Sequence, residues 1–198
     1  ISVYGHLSEW EESVVNIVDD STQVTEGRAG WHGPSDAIAR FMFLHDGENL
    51  YFAIEAEDDV WTPADEVRLA LSFTRKFKQQ TNKRRYLSTA SDIVLTFPLQ
   101  QGVHAVTALN DRAAISGAQA VGRMVGNTCV VEGIIPLASL SHLPGGRSYS
   151  SLRTGDEIAV DLQFRDSDPG EPGTTVLMWS GGGFKAQDPS DMGRALVY

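Results

Sequence analysis

The sequence predicts an all-β chain folded as an antiparallel β-sandwich, on three observations. Residues 50–56, 67–73 and 158–164 carry apolar side chains at every second position, the period of two that a strand with one buried face requires. Clusters of Gly, Pro, Asp and Asn separate such runs at short intervals, as sheet turns demand. No stretch shows the spacing of an amphipathic helix, and no internal repeat is present. The chain is organised around residues 46–73. The turn Asp46-Gly47-Glu48-Asn49 opens a strand with Leu50, Phe52, Ile54 and Ala56 on one face and Tyr51, Ala53, Glu55 and Glu57 on the other. An acidic turn, Glu57-Asp58-Asp59, and a lone Trp61 lead to Asp65-Glu66 and a second strand. There Val67, Leu69, Leu71 and Phe73 are expected inside, with Arg68, Ala70 and Ser72 outside.

In chain order, residues 3–10 read as a short strand and turn, with Trp10 placed to cover an edge of the sandwich, and residues 14–18 as a short apolar strand. A polar loop follows. The punctuation Gly30-Trp31-His32-Gly33-Pro34 precedes an apolar run, residues 38–44, broken only by Arg40 and suited to a central strand. Further strands are expected at residues 93–97, 103–109, 118–125 and 129–135, with a helical turn at 137–140 after Pro136. After a Gly/Ser-rich loop, residues 158–165 alternate strictly, placing Ile158, Val160, Leu162 and Phe164 inward and Asp161, Gln163 and Arg165 outward. Strands at 174–179 and 195–198 complete the chain.

With 198 residues the chain suits a single domain, residues 1–198, large enough for a full core. A net charge of −10 argues against a general binder of nucleic acid or anionic membrane, because no pervasive positive field attracts phosphates. The single cysteine, Cys129, forbids an internal disulfide and sits among valines as a buried thiol would. No run of about 18 apolar residues is present to cross a membrane as a helix. A chain starting at Ile1 with neither initiator methionine nor signal sequence is expected to be an excised or processed domain.

The side chains that carry chemistry are few. Trp61, beside Pro63 in a turn, offers an aromatic platform of the kind that stacks on the apolar face of a sugar; an edge-covering tryptophan is the alternative. For Trp179, Trp31 and Trp10, core packing is favoured. Tyr51, Glu55, Arg68 and Gln163 are candidates to converge on one polar outer face. Asp58, Asp59, Asp166 and Asp168 lie in turns and can supply the clustered oxygen ligands calcium prefers; solvated acidic turns are the other reading, and no EF-hand spacing is present. Five scattered histidines give no zinc spacing. No nucleophile elbow is present, and acids such as Glu55 and Glu132 form a hydrolytic pair only if folding brings them together. Between Phe73 and Asp92, six basic residues from Arg75 to Arg85 occur without an acid, reading as a solvated loop or a holder of acidic glycans.

The order of these motifs resembles the family 9 carbohydrate-binding modules and the wider DOMON-like sandwich group. The matching pieces are residues 5–10, Trp31 with Gly33 and Asp36, residues 46–59, 65–73 and 131–136, then 156–168 and the stretch from Trp179 through Asp188-Pro189 to Gly193. The resemblance implies a jelly-roll-like or immunoglobulin-like antiparallel β-sandwich, structural calcium and binding of sugars, often as an accessory domain of a secreted polysaccharide-degrading enzyme. It places Trp61 near one stacking tryptophan, one residue out of register, and Gln163 at a sugar-contacting position. Ala186 stands where the partner tryptophan falls, with Phe184 the nearest aromatic. Arg68 replaces a glutamate of the family's sugar binders, and Gly173 an arginine.

The sequence therefore points to a non-catalytic, extracytoplasmic carbohydrate-binding module attached to other domains of a larger chain. Trp61, with Phe184 or Trp179, would stack on a poly- or oligosaccharide, and Gln163, Arg68 and Glu55 would hydrogen-bond it. The alternatives are a structural or protein-interaction sandwich without sugar binding, and a haem-binding DOMON-like domain. The last would use Met42, Met124, Met178 or Met192 with a histidine, although methionine in an apolar strand usually serves the core.

Overall fold

The computed structural model describes residues 2–72, 92–108, 114–141, 143, 151–171, 173–180 and 193–196. Twelve strands follow in order: β1 (Asn16–Val18), β2 (Val24–Glu26), β3 (Ala37–His45), β4 (Asn49–Asp58), β5 (Glu66–Ser72), β6 (Asp92–Pro98), β7 (Gly102–Ala108), β8 (Ala114–Val125), β9 (Thr128–Pro136), β10 (Glu157–Asp166), β11 (Thr175–Met178) and β12 (Gly193–Leu196). Two 3-10 turns, Ser21–Gln23 and Leu137–Leu140, interrupt them. Every strand pair is antiparallel. The hydrogen-bonded path runs β1-β3-β4-β9-β8-β7-β6-β5-β10-β11-β2, with β12 beside β10. Among the described residues β6 pairs with β7 at Leu95–Ala108 and Thr96–Thr107, and the sheet curls between β4 and β6. Its halves then face one another across a single core. Phe52 of β4 stacks on Phe97 of β6 with ring centroids 4.9 Å apart, and Phe41 of β3 meets Trp179 edge to face at 5.2 Å. This is the antiparallel sandwich the alternation predicts.

The core-facing sets are those expected: Phe52, Ile54 and Ala56 on β4, Val67, Leu69 and Leu71 on β5, and Ile158, Val160, Leu162 and Phe164 on β10. Gly133 is required by the same packing, since a Cβ there would lie 1.9 Å from Phe52 Cζ. Cys129 is fully buried and burial pushes its thiol up to about 12, which leaves it protonated and inert.

Three differences from the sequence reading have physical causes. Tyr51 is buried, because the N-terminal segment folds over the outer face of the first layer: Trp10 packs with Met42, Tyr51 and Ala53 in a second cluster. Glu132 of β9 anchors that segment. Its Oε2 accepts from the backbone N–H groups of Tyr4, Gly5 and His6 at 2.7–2.9 Å, and its Oε1 from the Trp10 indole at 2.7 Å. The polar loop after Asp20 contains a strand, β2, held by backbone pairing to β11 rather than by its own alternation. Val14 and Val15, read as part of the first strand, are exposed before β1 begins at Asn16.

Candidate functional site

Two groups of polar side chains stand out, one at a pole of the sandwich and one on the outer face of its second layer. The pole is built where strands start and stop: β3 begins after Asp36, β4 ends at Asp58, β5 begins after Asp65 and β10 ends at Asp166. Antiparallel pairing, with Ala37 opposite Asp58 and Arg165 opposite Glu66, brings these ends together.

Oxygens of Asp58, Asp166 and Asp168 lie within 4.8 Å of one another, and a second trio of Asp36, Asp59 and Asp168 meets the same limit. All four acids expected to gather in turns are thus brought together, and Asp36 joins them. The signal for Asp36 was its place just before an apolar strand, paired in space with the end of the next. Asp58 and Asp166 are buried, yet Asp58 Oδ2, Asp166 Oδ1 and Asp168 Oδ1 have no hydrogen-bond partner among the described residues. Burial, with the neighbouring carboxylates adding to it, pushes Asp58 up to about 7 and Asp166 up to about 8. The loops are tied around the cluster: Asp59 N–H donates to the Asp36 carbonyl, Val60 N–H to Asp58 Oδ1, and Ser167 N–H and Thr62 Oγ1 to Asp65 Oδ1. An all-oxygen cluster with three orphaned carboxylate oxygens matches the chemistry of a hard divalent cation, which neutralises the charge and fills the empty acceptors.

On the second layer, Glu66 and Arg68 of β5, Thr96 of β6 and Gln163 and Arg165 of β10 share the face opposite the core. The register sets Arg68 opposite both Thr96 and Gln163. Glu66 Oε1 accepts from Arg68 Nε at 2.8 Å and pairs with Arg68 Nη2 at 2.6 Å and Arg165 Nε at 3.3 Å, while Oε2 accepts from Thr96 Oγ1 at 3.1 Å. Gln163 is only 2 % exposed, and its Oε1 has no donor among the described residues. Asp161, two residues away, is buried but satisfied by the Leu162 N–H and by the N–H and hydroxyl of Ser180. Asp161 and Gln163, expected outward, do point away from the core but are covered rather than solvated. Glu66, Thr96 and Arg165 were not singled out as binding residues, although period-two alternation already aligned Glu66 with Arg68 and Arg165 with Gln163.

The remaining candidates do not join this face. Glu55 lies on β4, on the outer face of the other layer, so the expected convergence of Tyr51 and Glu55 with Arg68 and Gln163 is not met: the sheet turns over between them. Trp61 lies nearly parallel to the core-facing ring of Phe164, centroids 6.4 Å apart, and gives its indole N–H to the Asn127 carbonyl. It therefore packs on the side of β10 opposite Gln163. Trp179 packs against Phe41, and Trp31 bonds the Ala37 carbonyl and packs on the core. Phe184, Ala186, Met192 and the basic stretch from Arg75 to Arg85 lie outside the described residues. Glu132, weighed as half of a hydrolytic pair, has its carboxylate taken up by four donors.

The backbone is similar to that of a family 9 carbohydrate-binding module from Caldicellulosiruptor kristjanssonii solved in complex with glucose. The TM-score is 0.71 at 17 % identity, over 100 % of this chain and 91 % of that one. The same organism's family 9 module in complex with cellotriose matches with a TM-score of 0.70 at 17 % identity, over 100 % and 89 % of the two chains. A protein from Bacteroides uniformis matches with a TM-score of 0.55 at 12 % identity, over 97 % and 89 %. No family model matches the sequence, and no curated protein sequence matches it. The chain has the fold of the family 9 carbohydrate-binding modules.

Proposed function

We propose that this chain is a non-catalytic saccharide-binding module of an extracytoplasmic glycan-processing protein, reading sugar hydroxyls on the outer face of the β5–β10 layer. The observation that supports it most directly is Gln163, a buried amide whose carbonyl oxygen lacks a donor, beside two guanidiniums and a carboxylate. A buried acceptor left unfilled costs about 1–3 kcal/mol, and a sugar hydroxyl supplies the missing donor while accepting from Arg68 or Arg165. The likeness to modules solved with glucose and cellotriose supports the same class of ligand.

At the pole, Asp58, Asp166 and Asp168 would hold a calcium ion, with Asp36 and Asp59 forming a second trio through the shared Asp168. The ion would supply positive charge where three carboxylates crowd, fixing the ends of β4 and β10. Its role in this reading is structural.

Isothermal titration of the purified domain with glucose, cello-oligosaccharides and a wider saccharide panel, with and without calcium, tests the proposal. Gln163→Ala should weaken binding about tenfold or more with an unchanged circular dichroism spectrum. Undiminished affinity in that variant would reject this face; silence toward every saccharide from a folded sample would reject the function. One observation favours a second reading, a structural or protein-interaction sandwich: Trp10, Trp31, Trp61 and Trp179 all contribute to packing. No tryptophan is then left to the face that carries Gln163.

A further inference from the structure

We infer that the saccharide taken by this face carries a carboxylate, as a uronic acid does, held between the guanidiniums of Arg68 and Arg165. The inference rests on the saccharide-binding reading above and names its ligand class.

One carboxylate, Glu66, serves two guanidiniums, and it does so through one oxygen: Oε1 meets Arg68 Nε and Nη2 and Arg165 Nε, while Oε2 is turned to Thr96. Among the described residues, the remaining guanidinium N–H groups of both arginines make no other hydrogen bond. Arg68 and Arg165 are 24 % and 21 % exposed at the side chain, so water screens them only in part. Burial, then the charge of Arg68, lower the pKa of Arg165, whereas Glu66 and the exposed Glu26 of β2 act the other way.

Glu66 Oε1 already bridges the two cations, and the guanidinium N–H groups it leaves unused are open to a second carboxylate. A guanidinium presents paired N–H groups that match the two oxygens of a carboxylate, a fit that a lysine lacks. Gln163, directly across from Arg68, then accepts from a ring hydroxyl of the same sugar. The ligand that satisfies all three side chains has a carboxylate and a hydroxyl on one ring.

Titration calorimetry of the folded domain with trigalacturonic acid, cellotriose and a sulfated oligosaccharide decides the matter. Trigalacturonate should bind at least about tenfold more tightly than cellotriose at low ionic strength, and lose that advantage as salt is added. Arg68→Gln and Arg165→Gln should each lower uronate affinity about tenfold or more and cellotriose affinity by a clearly smaller factor, since a neutral sugar loses one hydrogen bond and a uronate loses a charge pair as well. Arg165→Lys, which keeps the charge but not the fork, should retain part of it. Thermal melts of each variant separate lost binding from lost folding. Cellotriose binding equal to or tighter than uronate binding, or uronate binding indifferent to both arginines, would overturn this inference and leave the saccharide reading standing. Preference for the sulfated sugar would overturn the carboxylate assignment, and failure of all three ligands, with silence across the panel, would overturn both readings.

Discussion

Trp61 shows how a side chain's surroundings bear on the role its type suggests. An aromatic ring in a turn beside proline offers a face to a sugar only if the other side of the ring is backed by something rigid. Here Phe164 provides that backing from the core, and the indole N–H is spent on the Asn127 carbonyl. The ring lies on the core side of β10, across the strand from Gln163. Its removal should therefore be felt first in stability. Trp61→Ala is expected to cost about 2–3 kcal/mol, below the value for a fully buried aromatic because Trp61 is partly exposed. Denaturant unfolding should show this loss, while calorimetry on the surviving folded fraction should show saccharide affinity changed less than threefold. A large loss of affinity at unchanged stability would return Trp61 to the binding site.

At the scale of elements, the N-terminal segment is the piece whose attachment depends most on one side chain. Glu132 sits fully buried in β9 and gathers three consecutive backbone N–H groups and the Trp10 indole. A glutamine there would turn an NH2 group toward some of those donors. Glu132→Gln should lower stability by about 2–3 kcal/mol and expose residues 2–13 to proteolysis; a variant as stable and resistant as the parent would contradict the anchoring role. Gly133→Ala, which drives a methyl into the Phe52 ring, should cost about 1–3 kcal/mol by overpacking the opposite face of the same strand. These dependencies also mark how far the sequence could be read. Strands β4, β5 and β10 announce themselves because a face buried against one core imposes period two, and the turn at Leu137–Leu140 follows from Pro136. The burial of Tyr51 was not legible, because the cover comes from residues some forty positions earlier in the chain, recruited by an acid some eighty positions later. Strand β2 was not legible either, since an edge strand of three residues is specified by its partner β11. For the site, alternation supplied Arg68 and Gln163 on outward faces, but which layer each outward face belongs to is decided by the curl of the sheet between β4 and β6. That is why Glu55 was grouped with residues on the other side of the molecule.

For the molecule as a whole, the acidic pole sets a dependence on pH and on cations that can be worked out in sign. Asp58 and Asp166 titrate near 3.8 when unfolded, whereas in the fold burial and neighbouring carboxylates push them to about 7 and about 8. Between those limits the folded chain retains protons that the unfolded chain has released, so unfolding releases protons and stability falls as pH rises. Below about pH 4 both states are protonated at these groups; above about pH 8 the penalty is complete. The proposed calcium ion takes the place of those protons, so its effect should be greatest at high pH and shrink toward pH 5. In chelator, the melting temperature should drop steadily from pH 5 to pH 8.5. At pH 8, calcium at a hundred times its Kd should restore about 2.7 kcal/mol, or roughly 5–10 °C for a domain of this size. Asp166→Asn removes one of the crowded charges and one ligand together. It should flatten the pH profile in chelator, raise the melting temperature at pH 8 without calcium, and abolish most of the calcium response. Scanning calorimetry across this pH range, in chelator and in calcium, measures all of these. A calcium response as large at pH 5 as at pH 8, or a melting temperature in chelator indifferent to pH, would mean that Asp58 and Asp166 do not hold the protons the cation replaces.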